Sequence, residues 1–581
     1  MNNRRNLVHV VDVAVVALIG YVVVHSMTNR PPVQPQDPFL AAVDLEPLRK
    51  IAVQDVGRIK SFDSFANGIV RNIAGPNGIE GEEPAAAYLE LLLRPDAFTG
   101  ENIIYVKKVI RPQISRAMAK ANVAQSQIEQ FLKDGMISQE VLTTPQVWAE
   151  LQRMDADVLR TAKFVHLITS AMQYADPRNL AAGLRVIPPP SGDEQQRWSA
   201  GQDVWGLELG GQQGRMTASG VPGLDSDLQQ KLAGTWQTLA TAWRQRDAQT
   251  ASSAIASLAD QLRQVQPSLY PDAGKLGLES WYFRWHAFVW NWIVYVMAAV
   301  PLLLSIIYRW RGAYRVGVVM LLIAFAIHTA SLGIRWYLAG RIPNSNMYEA
   351  ILAATWFGVL GAIVLEAFVH KTAMRGLFFL GSGVCAMVAM MCQHFMPTTL
   401  RPDIENVMPV LNDVWLYIHT NVIIWSYALI GMAAITALLY LRYRLGGGDP
   451  AVAKAGGAGA LILDGAPGKG DSFLRENPAT VGQVLDASTM VTMELSFIML
   501  WAGLVMGAIW ADHSWGRPWG WDPKEVFALC TFIIFLILVH VRFKVRDKGL
   551  WTAVLAVVGC GVMLFNWIVI NFKISGLHSY A

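Results

Sequence analysis

Trp510-Ala-Asp-His-Ser-Trp-Gly-Arg-Pro-Trp-Gly-Trp-Asp-Pro-Lys-Glu525 packs four tryptophans into sixteen residues, with Gly516, Pro518, Gly520 and Pro523 among them. Gly and Pro at this density break regular structure. Apolar runs long enough to cross a bilayer flank the stretch on both sides. It therefore reads as a shaped loop between two membrane helices, and it sets the fold class: an all-α polytopic membrane protein.

The rest of the chain agrees. Its 581 residues are 53% hydrophobic and only 16% charged, too apolar for an ordinary soluble protein. The net charge is +4 and no Lys/Arg-dense tract occurs, so nucleic acid is excluded as a partner and the basic residues read as topology signals. Cys385, Cys392, Cys530 and Cys560 all fall in apolar runs and read as buried small hydrophobes rather than a disulfide framework. No Cys-x-x-Cys-His occurs, so the chain is not itself a c-type cytochrome by that signal.

Arg4 and Arg5 precede an apolar run from Leu7 to His25 with no small-residue cleavage site after it. Residues 1–30 therefore read as a retained signal-anchor helix. Residues 31–280 are richer in charge and glutamine and contain no run of spanning length. Pro145–Asp176 and Asp225–Tyr270 show helical spacing, whereas Arg185–Met216 reads as an irregular connection. This is a soluble, mostly helical domain without a recognisable catalytic or metal-ligand constellation. Eight further spans are expected near 285–308, 315–338, 347–370, 376–397, 413–441, 490–511, 525–545 and 549–573, about nine in all. They form a membrane domain over 281–581, with the tryptophan-rich loop at 510–525 and a Gly/Ala-rich linker within 442–489. The basic connections at 309–315, 370–375, 442–475 and 542–548 all fall on the side of Arg4 and Arg5. By the positive-inside rule that side is the cytoplasm, so the soluble domain, the tryptophan loop and the C-terminal tail face outward.

Eleven histidines are few enough to sort by depth. His419, near the outer end of its helix, and His578, after the last helix, share the face of the tryptophan loop. Neutral imidazoles can ligate iron from both sides of a flat macrocycle, and tryptophans supply flat apolar walls. A haem between His419 and His578, walled by Trp510, Trp515, Trp519 and Trp521, is a coherent picture. An interfacial aromatic belt would also use outward tryptophans, but it does not require Trp-Gly-x-x-Trp-x-Trp-Asp-Pro crowded into one loop. Arg335, Arg341 and Arg517 lie in or beside outer loops and could pair with propionates, or simply end helices. Asp522 before Pro523 has the pattern of a helix cap. His540 lies within a membrane segment, where ionisable groups point to function. It could form an inner site with His9 or with another subunit, or snorkel beside Arg542 and Lys544. His328 reads as a hydrogen-bonded core residue.

Trp515-Gly-Arg-Pro-Trp-Gly-Trp-Asp-Pro-Lys-Glu525 resembles the "WWD" signature of haem-handling proteins. Together with His540, the ending Gly576-Leu-His-Ser-Tyr580 and Arg341-Ile-Pro-Asn-Ser-Asn-Met-Tyr-Glu349, it resembles the CcsA/ResC branch of system II cytochrome c biogenesis, over about residues 281–581. The resemblance implies an integral protein of the bacterial cytoplasmic (inner) membrane that exports haem b and presents it to apocytochrome c for thioether attachment at Cys-x-x-Cys-His. It implies His419 and His578 as axial ligands and His540 as the membrane histidine. Implied partners are a CcsB/ResB-like subunit and a thiol-reducing thioredoxin-like protein. The chain would be one component of a holocytochrome c synthase, with no acid–base catalytic residue of its own. Two other readings stay open: a haem-delivery chaperone of the CcmC/CcmF kind, and a small-molecule transporter with an interfacial tryptophan belt.

Overall fold

The structure is a computed structural model that describes residues 37–79, 82–157, 160–208, 215–308, 310–370, 375–397, 399–406, 411, 413–448, 480–542 and 544–570. The proposed signal anchor, His9, most of the Gly/Ala-rich linker and His578 lie outside the described residues. The chain divides into two units at Trp285/His286, five residues beyond the boundary expected from composition.

The first unit is mostly helical, with three short antiparallel strand pairs. Its two apolar clusters form because the helices carry apolar residues three and four apart. In one, the apolar helix Pro84–Leu93 is buried almost throughout. The buried Glu90 on it accepts from Trp243 Nε1 at 2.9 Å and from Arg246, which closes the turn of the helical hairpin Ser226–Gln245/Ala248–Val265. In the other, Arg111 is threaded into the end of helix Gln125–Asp134. Its guanidinium donates to the carbonyls of Leu132, Lys133 and Asp134 at 3.0–3.2 Å, satisfying groups a helix C-terminus leaves orphaned. Hairpin Ala52–Asp55/Arg58–Ser61 turns on Val56 and Gly57, both left-handed as a two-residue hairpin of this type requires. Residues 185–208 are largely irregular, as the sequence suggests.

Among the described residues, the second unit has eight helices long and apolar enough to span a membrane: His286–Tyr308, Arg311–Ala339, Met347–Ala367, Leu377–Phe395, Val414–Leu445, Val481–Trp515, Pro523–Val541 and Lys548–Ile570. The protein is thus an all-α integral membrane protein. Several buried polar groups in it are paired, as a low-dielectric surround favours. His328 sits fully buried between Tyr295 Oη at 3.1 Å and the Leu352 carbonyl at 3.0 Å, the core role expected of it. At one end of the bundle, Glu366 accepts from Tyr314 Oη at 3.2 Å and from the Gly376 amide at 2.6 Å. Alternation of the helices brings to that same end the Arg444–Asp547 pair and the Arg542–Asp486 pair, joining the basic connections.

Two boundaries differ from expectation. The helix expected to begin near 490 begins at Val481, so residues 481–489 are helical rather than linker. Asp486, Ser488 and Thr489 dilute the hydropathy there, but all three are buried and hydrogen-bonded. Thr480 and Gln483 close the start with a capping box. The same helix continues to Trp515, so the loop proper is 516–522 and not 510–525. No breaker occurs before Gly516, whose left-handed conformation (φ +67°) ends the helix with its N–H on the Asp512 carbonyl at 2.8 Å. The four cysteines are free, but Cys385, Cys392 and Cys560 are half-buried and Cys530 is exposed on its helix, where burial was expected for all four. On a membrane helix an outward thiol faces lipid, which a small apolar group tolerates.

Candidate functional site

The end of the bundle opposite the basic connections holds a cavity of about 290 Å³. It is walled by the helices at 414–445, 481–515 and 523–541, the loop 516–522, the segment Asn344–Met347, and the last described turn at Asn566 and Trp567.

His419 lies five residues into its helix and lines the cavity. Its Nδ1 stands 2.7 Å from the Gly503 carbonyl. A carbonyl can only accept, so Nδ1 carries a proton, and in the neutral ring the lone pair then falls on Nε2. Gly503 and Gly507 lie four apart, on one face of the facing helix. A Cβ at Gly507 would stand 2.7 Å from His419 Cε1 and 2.8 Å from Nδ1. A Cβ at Gly503 would stand 2.4 Å from Ile423 Cδ1. The Gly-x-x-x-Gly stripe is thus the notch that lets the His419 helix approach and seats the imidazole.

The tryptophans divide between cavity and periphery. Trp510, 3% exposed, and Trp519 line the cavity. Trp515 packs edge-on against Trp510 with centroids 4.8 Å apart, and Trp521 against Trp519 at 6.1 Å. Trp521 is 74% exposed and left-handed, with φ +54°, an outlier for a bulky residue. Its conformation is imposed from both sides: Glu525 Oε2 accepts the amides of Gly520 at 2.8 Å and Asp522 at 3.2 Å. Asp522, 4% exposed, accepts the Lys524 amide on its Oδ2 at 3.1 Å, and its side chain also accepts the Glu525 amide, which completes a capping box. Asp522 therefore shapes the loop from behind.

The arginines are placed differently from the propionate reading. Arg335, fully buried, donates Nε to Glu349 Oε1 at 2.8 Å, and Arg341 donates to Glu349 Oε2 at 2.9 Å. Their remaining donors go to the carbonyls of Pro402, Asp403 and Glu405. Both are structural: they hold the segment whose Asn344 side chain donates to Thr420, next to His419. Arg517 is exposed and lies over Gly520, outside the cavity lining.

His540 is the penultimate residue of its helix, exposed, with Nδ1 2.6 Å from the Leu536 carbonyl. It does not sit deep in the bundle. Among the described residues no cluster of three or more His, Cys, Asp or Glu could hold a metal ion. Among the described residues, His419 is the one histidine that lines the cavity.

Sequence reasoning missed the glycine notch, Lys524, Glu525, Tyr427, Asn566 and Trp567. The Gly503-x-x-x-Gly507 spacing was a legible signal. Asn566 and Trp567 reach the cavity through a π-helical turn at Phe565–Ile570, a widening that hydropathy does not encode.

Comparison with known proteins bears on this site. A family model described as "Cytochrome C assembly protein" matches residues 344–578, from the loop beside the cavity to His578. "Cytochrome c biogenesis protein CcsA" of Prochlorococcus marinus (strain MIT 9303) is 31% identical over 281 residues, covering 46% of this chain and 86% of that protein. The protein of the same name from Guillardia theta is 30% identical over 296 residues, covering 48% and 93%. "Protein NrfI" of Wolinella succinogenes is 29% identical over 265 residues, covering 45% of this chain but 25% of that longer protein.

Proposed function

This chain belongs to the CcsA family of cytochrome c biogenesis proteins, and on that premise we propose that it carries haem b outward and presents it to apocytochrome c within a system II synthase. The observation that carries the reading is the seating of His419: Nδ1–H on the Gly503 carbonyl and the ring lining a tryptophan-walled cavity.

Each part of the chain then has a task. His419 is one axial ligand and His578, beyond the described residues, is the other. Trp510 and Trp519 form the flat wall, and Trp515 and Trp521 buttress them. At about 290 Å³ the cavity lies at the low end of small-molecule sites. A flat macrocycle would be clasped along one edge and left open along the other, which suits presentation rather than storage. Haem supplies the vinyl groups to which the two thiols of Cys-x-x-Cys-His add. The chain contributes by orientation: it fixes the plane and keeps one edge accessible, so that two thiols meet two reacting carbons in one encounter. The peptide histidine then replaces one protein imidazole.

The soluble unit and the tryptophan loop lie on the extracytoplasmic side of the cytoplasmic membrane, by the distribution of basic connections. His540, at the opposite end of its helix from the loop and exposed there, serves an inner site completed by His9 or by a CcsB/ResB-like subunit. A thioredoxin-like reductant keeps the peptide thiols reduced.

The test is absorption spectroscopy of the purified full chain expressed with haem available. A bis-histidine spectrum is expected, lost or shifted in His419→Ala and His578→Ala and unchanged in His166→Ala, whose side chain is 72% exposed on the other unit. A double His419/His578 variant with an unaltered spectrum would sink the ligand assignment. Protein with no Soret band at all would favour a transporter.

A further inference from the structure

The arginines that might have met a ligand's carboxylates are committed elsewhere: Arg335 and Arg341 to Glu349, and Arg517 outside the cavity. Among the described residues that line the cavity, Lys524 is the only lysine or arginine and Glu525 the only acid. Glu525 Oε2 is held by the amides of Gly520 and Asp522, so this carboxylate is bound into the loop.

The position of Lys524 is itself informative. It is the second residue of the helix Pro523–Val541. A helix N-terminus carries partial positive charge, and a cation there is electrostatically misplaced. The capping pattern accounts for Asp522, Pro523 and Glu525, all favourable at a helix start. It does not account for a lysine. The neighbouring Asp522 carboxylate offsets part of this charge. An anionic group in the cavity would meet both the ammonium and the positive end of the helix.

We propose that Lys524 is the carboxylate-recognition group of this cavity, taking a propionate-class carboxylate of the ligand whose flat apolar body rests on Trp510 and Trp519. The inference rests on the haem reading above and adds to it which edge of the ligand the chain grips.

The experiment uses the full chain purified in detergent and stripped of pigment, titrated with iron protoporphyrin IX and with its dimethyl ester. The ester keeps the iron, the ring and the vinyl groups and loses only the negative charges. Wild type is expected to bind the free acid about tenfold or more tightly than the ester, the usual worth of a charge-assisted hydrogen bond. Lys524→Met should lose about that factor for the free acid and little for the ester. Lys524→Arg should restore most of the discrimination. Equal wild-type affinity for acid and ester, read without any variant, overturns the assignment, as does a Lys524→Met protein that still discriminates. A bis-histidine spectrum with equal affinities defeats Lys524 alone. Absence of that spectrum with either compound defeats the haem reading, and this inference with it.

Discussion

The imidazole of His419 occupies the space a side chain on Gly507 would fill, with Cε1 2.7 Å from where that Cβ would stand. Real Cβ atoms do not approach so closely, and the ring is also tied to the Gly503 carbonyl of the same helix. Gly507→Ala should therefore turn the imidazole out of its seat. Alanine is the better helix former by about 1 kcal/mol, so thermal stability is expected to hold or fall only slightly while haem affinity drops at least about tenfold. Gly312→Ala, on another spanning helix with open space around it, should leave both unchanged. Spectral titration and a melting curve on each variant check this. Haem affinity at the wild-type level in Gly507→Ala would show that the notch does not position the ligand.

Trp521 is strained and exposed at once. A non-glycine residue in the left-handed region costs about 1–2 kcal/mol, and at 74% exposure the ring recovers little by burial. Trp521→Gly relieves that strain at a chain-entropy cost of roughly 0.5–1 kcal/mol. The melting temperature is expected to stay level or rise. Delivery of haem to an apocytochrome c peptide is expected to fall several-fold, because the ring beside Trp519 is gone. Backbone strain kept where stability does not need it points to function. A marked loss of stability together with full delivery would contradict this assignment.

What could be read from the sequence, and what could not, follows from the range of the forces involved. Eight spans from Trp285 onward were legible because the bilayer imposes a length and a composition on every spanning helix. The start at Val481 was not, because the Asp486 charge is neutralised by Arg542, which lies 56 residues away along the chain. The place of His419 near a helix end was legible, whereas the proton on its Nδ1 depends on a carbonyl 84 residues distant. Arg335 and Arg341 looked available for propionates because Glu349 reads as an ordinary first-turn acid. Only the packed structure closes both arginines on it. Asp522 was legible as a cap from Pro523 alone, since capping is local.

The first unit carries a pH signature that can be read apart from the cavity. Burial raises the pKa of the Asp63 carboxyl above its ordinary value, outweighing the Ser280 hydroxyl, which donates to it at 2.6 Å, and the nearby Arg49 and Arg284. A carboxyl with a raised folded-state pKa holds its proton longer in the folded than in the unfolded chain. Its contribution is greatest below the unfolded pKa and is lost as pH rises through the folded value. Asp63→Asn removes the charge and keeps an acceptor for Ser280. The variant should match wild type near pH 4 and be the more stable of the two at pH 7–8. Equilibrium unfolding across that range checks it, and a variant less stable at pH 8 than at pH 4 relative to wild type would reverse the sign.

Asp486 and Arg542 are 2% and 4% exposed and meet through two bonds of 2.6 Å, with Thr552 accepting from the same guanidinium at 3.1 Å. Two desolvated charges recover their hydration cost only through each other, so breaking one partner costs more than removing both. Asp486→Asn leaves the guanidinium uncompensated and should destabilise by about 3–5 kcal/mol. The double variant Asp486→Leu/Arg542→Met replaces the pair with apolar groups of similar length and should recover most of that loss. The pair also joins the first turns of the 481–515 helix to the end of the 523–541 helix, and these two helices hold opposite ends of the tryptophan loop. If the ion pair sets that register, the double variant should be stable yet bind haem more weakly than wild type. If it contributes stability alone, binding should return with the fold. Melting curves and haem titrations on the three proteins separate these outcomes, and a single Asp486→Asn variant as stable as the double would show the pair is not the coupled unit its geometry implies.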